Sequence, residues 1–185
     1  MAKSMLLHCC CAHCTAFVIE HWRRQGYEVS GLWYNPNIHP FSEHQRRLEA
    51  MQTLAREMDM SLEVVGGFDM PFYFRRVVGD EANRCRHCFD LRLSRTAEMA
   101  RERSIDAFST SLLISPHQQH ETLRQVGDKI AGDVEFAYAD LRKRYSESRH
   151  LTRGLDLYRQ QYCGCLYSEW ERYSGLKLAG IMNQI

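Results

Sequence analysis

The sequence predicts an α/β fold, a three-layer domain with a mostly parallel five-stranded sheet and helical segments toward the C-terminal end. Three observations lead there. Short β-rich apolar runs alternate with helical stretches along the chain, the order that builds a parallel sheet covered on both faces. The helical stretches carry apolar stripes at a 3.6-residue period. A chain of 185 residues with 44% apolar content is long enough for one well-buried core and short for two. A single domain over residues 1–185 is therefore expected.

The elements follow in order. Residues 4–8 read as a buried strand, and the cysteine loop after it leads into a helix from about Ala12 to Gln25, with Cys14, Phe17, Val18 and His21 at helical spacing. Gly26 supplies the stop, and Tyr27 to Trp33 is a second strand. Tyr34-Asn35-Pro36-Asn37 signals a loop. Ser42, with Gln45 three residues on, predicts a capping box opening a helix whose inward stripe is Leu48, Met51, Ala55 and Met58. Leu62 to Val65 is a third strand, ended by two glycines. Residues 68–84 suit a short helix and a polar link, and a longer helix runs from Cys85 to about Arg103.

Residues 106–114 contain a fourth strand. Ser115-Pro116-His117-Gln118 combines an N-cap serine, proline at N1 and glutamine at N3, which predicts a helix ending near Gly132. Val134, Phe136 and Tyr138 alternate as a fifth strand with one solvated face. The remainder reads as helical pieces broken by Cys163-Gly164-Cys165. In parallel sheets ligands bind outside the carboxyl ends of the strands. The cysteine loop, Tyr34-Asn35, the Ser115 turn and Asp140 would all share that rim. The turn after the first strand has no glycine, so the backbone approach to phosphate used by nucleotide-binding sheets is disfavoured.

The formal charge of +1 excludes a globally cationic surface, so a nucleic-acid partner would have to be met by a local patch. The N-terminus lacks the apolar core and cleavage site of a secretion signal. No segment approaches the roughly 18 apolar residues of a membrane span. A cytoplasmic location is the expectation, and there clustered thiols serve as metal ligands or redox groups more often than as disulfides. Eight cysteines in 185 residues also fall below the density of disulfide scaffolds, about 8–10%.

Those cysteines lie in three sets: Cys9, Cys10, Cys11 and Cys14; Cys85-x-x-Cys88; and Cys163-Gly164-Cys165. Cys85 and Cys88 project from one face of a helix start, whose positive end favours thiolates. Gly164 lets the backbone come close to a bulky ligand while the flanking side chains converge. A structural zinc site needs four ligands and a 4Fe-4S cluster also takes four. With Cys9 a buried apolar thiol, seven remain, and seven is four plus three, three being the protein ligands of an open catalytic metal. One cluster with spare thiols remains the alternative.

Leu7 to Cys14, the Cys85-Arg86-His87-Cys88-Phe89 helix start, Phe108 to Pro116, and Tyr158 to Ser168 together resemble the epoxyqueuosine reductase QueH family, the cobalamin-independent enzymes of the last step of queuosine synthesis in tRNA. The resemblance extends over nearly the whole chain. It implies an adenine-nucleotide-hydrolase-like (Rossmann-like) α/β fold carrying a 4Fe-4S cluster beside a mononuclear iron. The implied ligands are Cys10, Cys11, Cys14, Cys85, Cys88, Cys163 and Cys165. Two departures are visible: His13 stands where the family often has proline, and position 14 is aspartate in some relatives. Cys10 and Cys11, being adjacent, are expected to point apart, which suits ligands of different centres.

Reduction of epoxyqueuosine removes oxygen as water and needs two electrons and two protons. A lone iron to polarise the C–O bond and a cluster to supply electrons would meet that need, with the electron donor unidentified. Tyr34, Asp140 and Tyr158 are the candidate proton donors on the rim. Arg46, Arg47, Arg142, Lys143 and Arg144 are candidates for phosphate contacts around the anticodon loop of the tRNA. Asn35 and Asn37 are candidates to bond substrate hydroxyls or to form the turn, and His117 and His120 are expected at the surface. Two rival readings are a non-catalytic, zinc-stabilised RNA-binding module and an iron-sulfur tRNA thiolation enzyme that activates its base with ATP.

Overall fold

A computed structural model of the chain describes residues 2–178. Strands β1 (Lys3–His8), β2 (Tyr27–Trp33), β3 (Leu62–Val64), β4 (Ala107–Thr110) and β5 (Glu135–Phe136) form one sheet in the order β3-β2-β1-β4-β5. Every pairing is parallel. Met5, Leu6 and Leu7 are successive residues of β1 and none is more than 1% exposed, so both faces of the central strand are covered.

The helices are α1 (Ala12–Arg24), α2 (Phe41–Glu57), α3 (Met70–Val77), α4 (Arg84–Glu102), α5 (His120–Ala131), α6 (Tyr145–Leu151) and α7 (Leu166–Ser174). The chain builds outward from β1 through β2 to β3, then returns to lay β4 and β5 on the other side of β1. That reversal makes a crevice between the carboxyl ends of β1 and β4. The cysteine loop leaves β1 at this point and Ser111 leaves β4. A second, smaller apolar cluster of Tyr73, Val77, Cys88, Leu91 and Cys165 packs α3 and the C-terminal loop against α4. Among the described residues no helix is long and apolar enough to cross a membrane.

Four local expectations are corrected. The helix expected at Ser42 begins at Phe41, because the Pro40 carbonyl accepts the amides of Glu43 and His44; Gln45 bonds Glu49 at 2.9 Å instead of closing a capping box. The Ser115 hydroxyl accepts only the His117 amide, and α5 starts five residues later at His120. There the buried His120 ring bonds the Ser115 carbonyl at 3.1 Å and holds the segment as a turn; His120 is 6% exposed and not a surface residue. The fifth strand is short, Glu135–Phe136, and Tyr138 lies beyond it.

Candidate metal centre and cleft

His8, the last residue of β1, pairs across the sheet with Thr110 of β4. Its ring lies 3.0 Å from the Thr110 hydroxyl and 3.2 Å from the Asn35 side-chain oxygen, and burial holds it neutral with a pKa of about 3. Asn35 also donates to the Cys9 carbonyl at 2.8 Å, so this asparagine locks the exit of the strand. Cys9 points back into the core, its thiol donating to the Leu7 carbonyl and pushed up to about 12 by burial. The chain then enters α1 with Cys11 as N-cap in extended conformation. Cys10 sits 3.3 Å from the Ser111 hydroxyl. The Cys11 thiol lies beside both Cys10 and Cys14, so three thiols form one group at the mouth of α1.

The other four come together from two distant segments. Cys85 and Cys88 stand in the first turn of α4, and Cys165 is the N-cap of α7. Burial first, and then the neighbouring Cys163 and Cys165, push the Cys85 thiol up to about 11 and the Cys88 thiol higher still. Cys163 is exposed toward the cleft and accepts from the Gln118 side chain at 3.4 Å.

The C-terminal loop reaches this place through a buried ion pair. Arg47 of α2 is bonded to Glu43 at 2.7 Å, with side-chain exposures of 2% and 6%. Its other nitrogens donate to the carbonyls of Cys163 and Tyr162, each at 2.9 Å. Gly164 between the cysteines has φ +150, and an added Cβ would sit 3.2 Å from Ile38, so the position requires glycine. Arg84 and Glu171, 2.8 Å apart, fasten α7 onto α4.

These residues suit thiolate-bound metal. The three sets of cysteines meet the N-terminal ends of α1, α4 and α7, where the helix dipoles favour anions. Among the described residues, three buried donors beside the group of four have no partner: the Tyr73 hydroxyl, Nη2 of Arg92 and Nε of Arg84. Burial and the adjacent Cys165 hold the Tyr73 phenol firmly protonated. A buried donor left unpaired is costly, and a thiolate or sulfide supplies the acceptor that a neutral thiol offers weakly. Among the described residues no three His, Cys, Asp or Glu side chains converge closely enough to grip one ion as they stand. The thiols of both groups would have to draw closer together to do so. Between these thiols and α6 and α7 lies a cleft of about 580 Å³.

The model of the family described as epoxyqueuosine reductase QueH matches residues 5–171. The chain belongs to the QueH family. A relative named epoxyqueuosine reductase QueH from Dehalococcoides mccartyi is 55% identical over 94% of this chain and 96% of its own length. Another of that name from Thermotoga maritima is 33% identical over 91% and 92%. In fold, the chain is similar to the U34-tRNA thiolase NcsA from Methanococcus maripaludis, solved with its [4Fe-4S] cluster. The TM-score is 0.60 at 14% identity, covering 99% of this chain and 66% of that one. It is also similar to a predicted subunit of tRNA methyltransferase from Methanocaldococcus jannaschii, at TM-score 0.51 and 11% identity over 80% and 73%. These two show the fold alone.

Cys10, Cys11, Cys14 and Cys163, of the cysteines that the QueH resemblance singles out, line the cleft. Tyr34, Asp140 and Tyr158 do not. Asp140 is held ionised, well below the usual carboxylate range, by the Arg142 side chain bonded to it at 2.8 Å. Tyr158 donates to Glu43, and Tyr34 lies against Gly66. Arg47 is buried in the protein's own ion pair and is not available to phosphate. Arg46 and the Arg142–Arg144 turn are exposed, although Asp140 pairs with Arg142 and Glu147 with Arg144. Asn37 is 1% exposed with both side-chain polar atoms unpaired, and it adjoins Gly164. His117 is exposed at the cleft wall. Sequence reasoning missed Tyr145, Arg149, Arg159, Arg172 and Lys177, which also line it. Their one signal was position, in the helical pieces flanking Cys163-Gly164-Cys165.

Proposed function

We propose that the protein reduces epoxyqueuosine to queuosine at the anticodon wobble position of tRNA, in the cytoplasm and without cobalamin. Membership of the QueH family carries this reading, and the gathering of seven cysteines in two groups at the switch point supports it. In the reaction both C–O bonds of the epoxide break, a C=C bond forms and the oxygen leaves as water. Two electrons come from an external reductant, and two protons are taken up.

Cys85, Cys88, Cys163 and Cys165 would hold the 4Fe-4S cluster, and Cys10, Cys11 and Cys14 the mononuclear iron. Divergence of adjacent side chains would send Cys10 and Cys11 to different centres, but the closeness of Cys11 to both Cys10 and Cys14 favours one group of three. Bound there, the two centres supply reducing equivalents and a Lewis acid for the epoxide oxygen.

The chain's own residues bind and protonate. The nucleoside enters the cleft from a single-stranded anticodon loop, where a base can be splayed out. Arg149, Arg159, Arg172 and Lys177 surround the entrance and meet phosphates, with Arg46 and the Arg142–Arg144 turn extending the basic surface. Tyr145 is the proton source. It lines the cleft within electrostatic reach of Cys14 and Cys11, under Arg149 at 5.3 Å, whereas the Tyr162 hydroxyl is committed to the His39 carbonyl at 2.6 Å.

The test is anaerobic purification, metal and sulfide analysis, and incubation with tRNA carrying epoxyqueuosine and a strong reductant. Brown protein and conversion to queuosine are expected. A colourless, zinc-loaded protein would return the assignment to an RNA-binding module.

A further inference from the structure

Arg92 lies on α4 one turn beyond Cys88 and is 2% exposed. Its Nε donates to the Cys88 carbonyl at 3.1 Å and its guanidinium lies 6.0 Å from the Phe89 ring centroid. Nη2 is buried without a partner among the described residues. Arg47 and Arg84, also shielded, have Glu43 and Glu171; among the described residues no carboxylate does this for Arg92.

A lone cation removed from water is strongly disfavoured, and a buried lysine would escape by losing its proton. Arginine does not, because it stays charged in proteins. The chain therefore keeps a permanent positive charge in its interior, and the groups around it are the thiols of Cys88, Cys10 and Cys163, the Tyr73 phenol and the neutral His8 ring, none of them an anion. The Arg92 guanidinium lies within electrostatic reach of Cys88, to whose carbonyl it is bonded, and of Cys85 and Cys163 on one side and Cys10 on the other. As neutral thiols these cannot balance a cation. As iron-bound thiolates they can.

We propose that Arg92 is the fixed counter-cation of the redox centre, set between the two thiol groups, and that it raises their reduction potential. The inference rests on the iron-sulfur reading and goes beyond it. Each electron accepted makes the centre more negative. A nearby cation in a water-poor site therefore stabilises the reduced form more than the oxidised one. Arg92 would act through the ligand set and the charge between the centres, without touching the substrate.

The experiment is an anaerobic redox titration of the iron-loaded protein, followed by visible absorption and electron paramagnetic resonance, for wild type, Arg92→Gln and Arg92→Lys. Arg92→Gln is expected to keep iron and sulfide while its midpoint potential moves to more negative values. Arg92→Lys should recover most of that shift. Should Arg92→Gln fail to load iron while Arg92→Lys loads it, the charge is needed to hold the centre, which also supports the proposal. A fully loaded Arg92→Gln with the wild-type midpoint overturns it, and so does a failure of both variants to load, which would make the guanidinium's shape the requirement. Wild-type protein without iron-sulfur absorption would instead sink the parent reading.

Discussion

Arg47 holds the carbonyl oxygen of Cys163 at 2.9 Å, joining residues 116 positions apart in the chain. A residue that looked on the sequence like a phosphate contact is a clamp on the Cys163-Gly164-Cys165 loop. Arg47→Met leaves Glu43 buried without its cation and frees the loop, a change worth about 3–5 kcal/mol when one member of a buried pair is lost. Reduced iron content and a lowered melting temperature are expected. Full iron loading with weakened tRNA binding would restore the phosphate role.

Cys14 and Cys88 stand in different thiol groups, so their replacements should separate. Cys14→Ala is expected to lose the lone iron and keep the visible absorption of the cluster. Cys88→Ala should lose that absorption. Equal iron loss in both variants, measured by metal analysis and absorption, would show that the division between the groups is wrong.

Tyr145→Phe removes a hydroxyl at the cleft wall and leaves the cysteines in place. A general acid contributes about 10²–10⁴-fold. Single-turnover conversion of epoxyqueuosine should slow by at least about 100-fold at unchanged iron content, while Tyr158→Phe and Asp140→Asn leave the rate within a few-fold. Wild-type turnover in Tyr145→Phe would exclude this phenol as the donor.

The basic residues at the entrance predict salt-dependent tRNA binding. Replacing Arg149 and Arg159 with glutamine should lower affinity and reduce the salt slope by about one unit for each phosphate left without its arginine. Replacing Arg142 and Arg144, already paired with Asp140 and Glu147, should change the slope less. Titration at several salt concentrations gives the comparison, and the reverse ranking would move the interface.

Burial, against a bond to the Pro36 carbonyl, holds the His39 pKa down to about 4, and burial likewise depresses His44. His44 accepts the Trp33 indole N–H at 3.2 Å, a bond its protonation would cost. Below the ordinary histidine value of about 6.5 the unfolded chain binds these protons and the folded one does not. Stability therefore rises with pH between about 4 and about 6.5, and is lost as pH falls through that window. Denaturation of wild type and His39→Gln across this range should show a shallower slope in the variant. Identical slopes would mean that His39 does not titrate on unfolding.

The sequence by itself determined the sheet, its parallel sense and the rim that carries the site, because strand and helix periods are local properties of the chain. Apolar Met5-Leu6-Leu7 ending at a cysteine loop already pointed to the cleft that Cys10, Cys11, Cys14 and Cys163 line, and the motifs around the three cysteine sets already pointed to the family. Tertiary structure decided what each polar residue at the rim is for. Arg46 and Arg47 are adjacent on one helix and indistinguishable in composition, yet a rotation of about 100° per residue exposes one and buries the other. Likewise Ser115 has the residues of a helix start, but the returning His120 ring fixes a turn there. Which thiols stand together, and that Arg92 lies among them with no carboxylate partner among the described residues, depends on packing between segments far apart in the chain, and no local pattern records that.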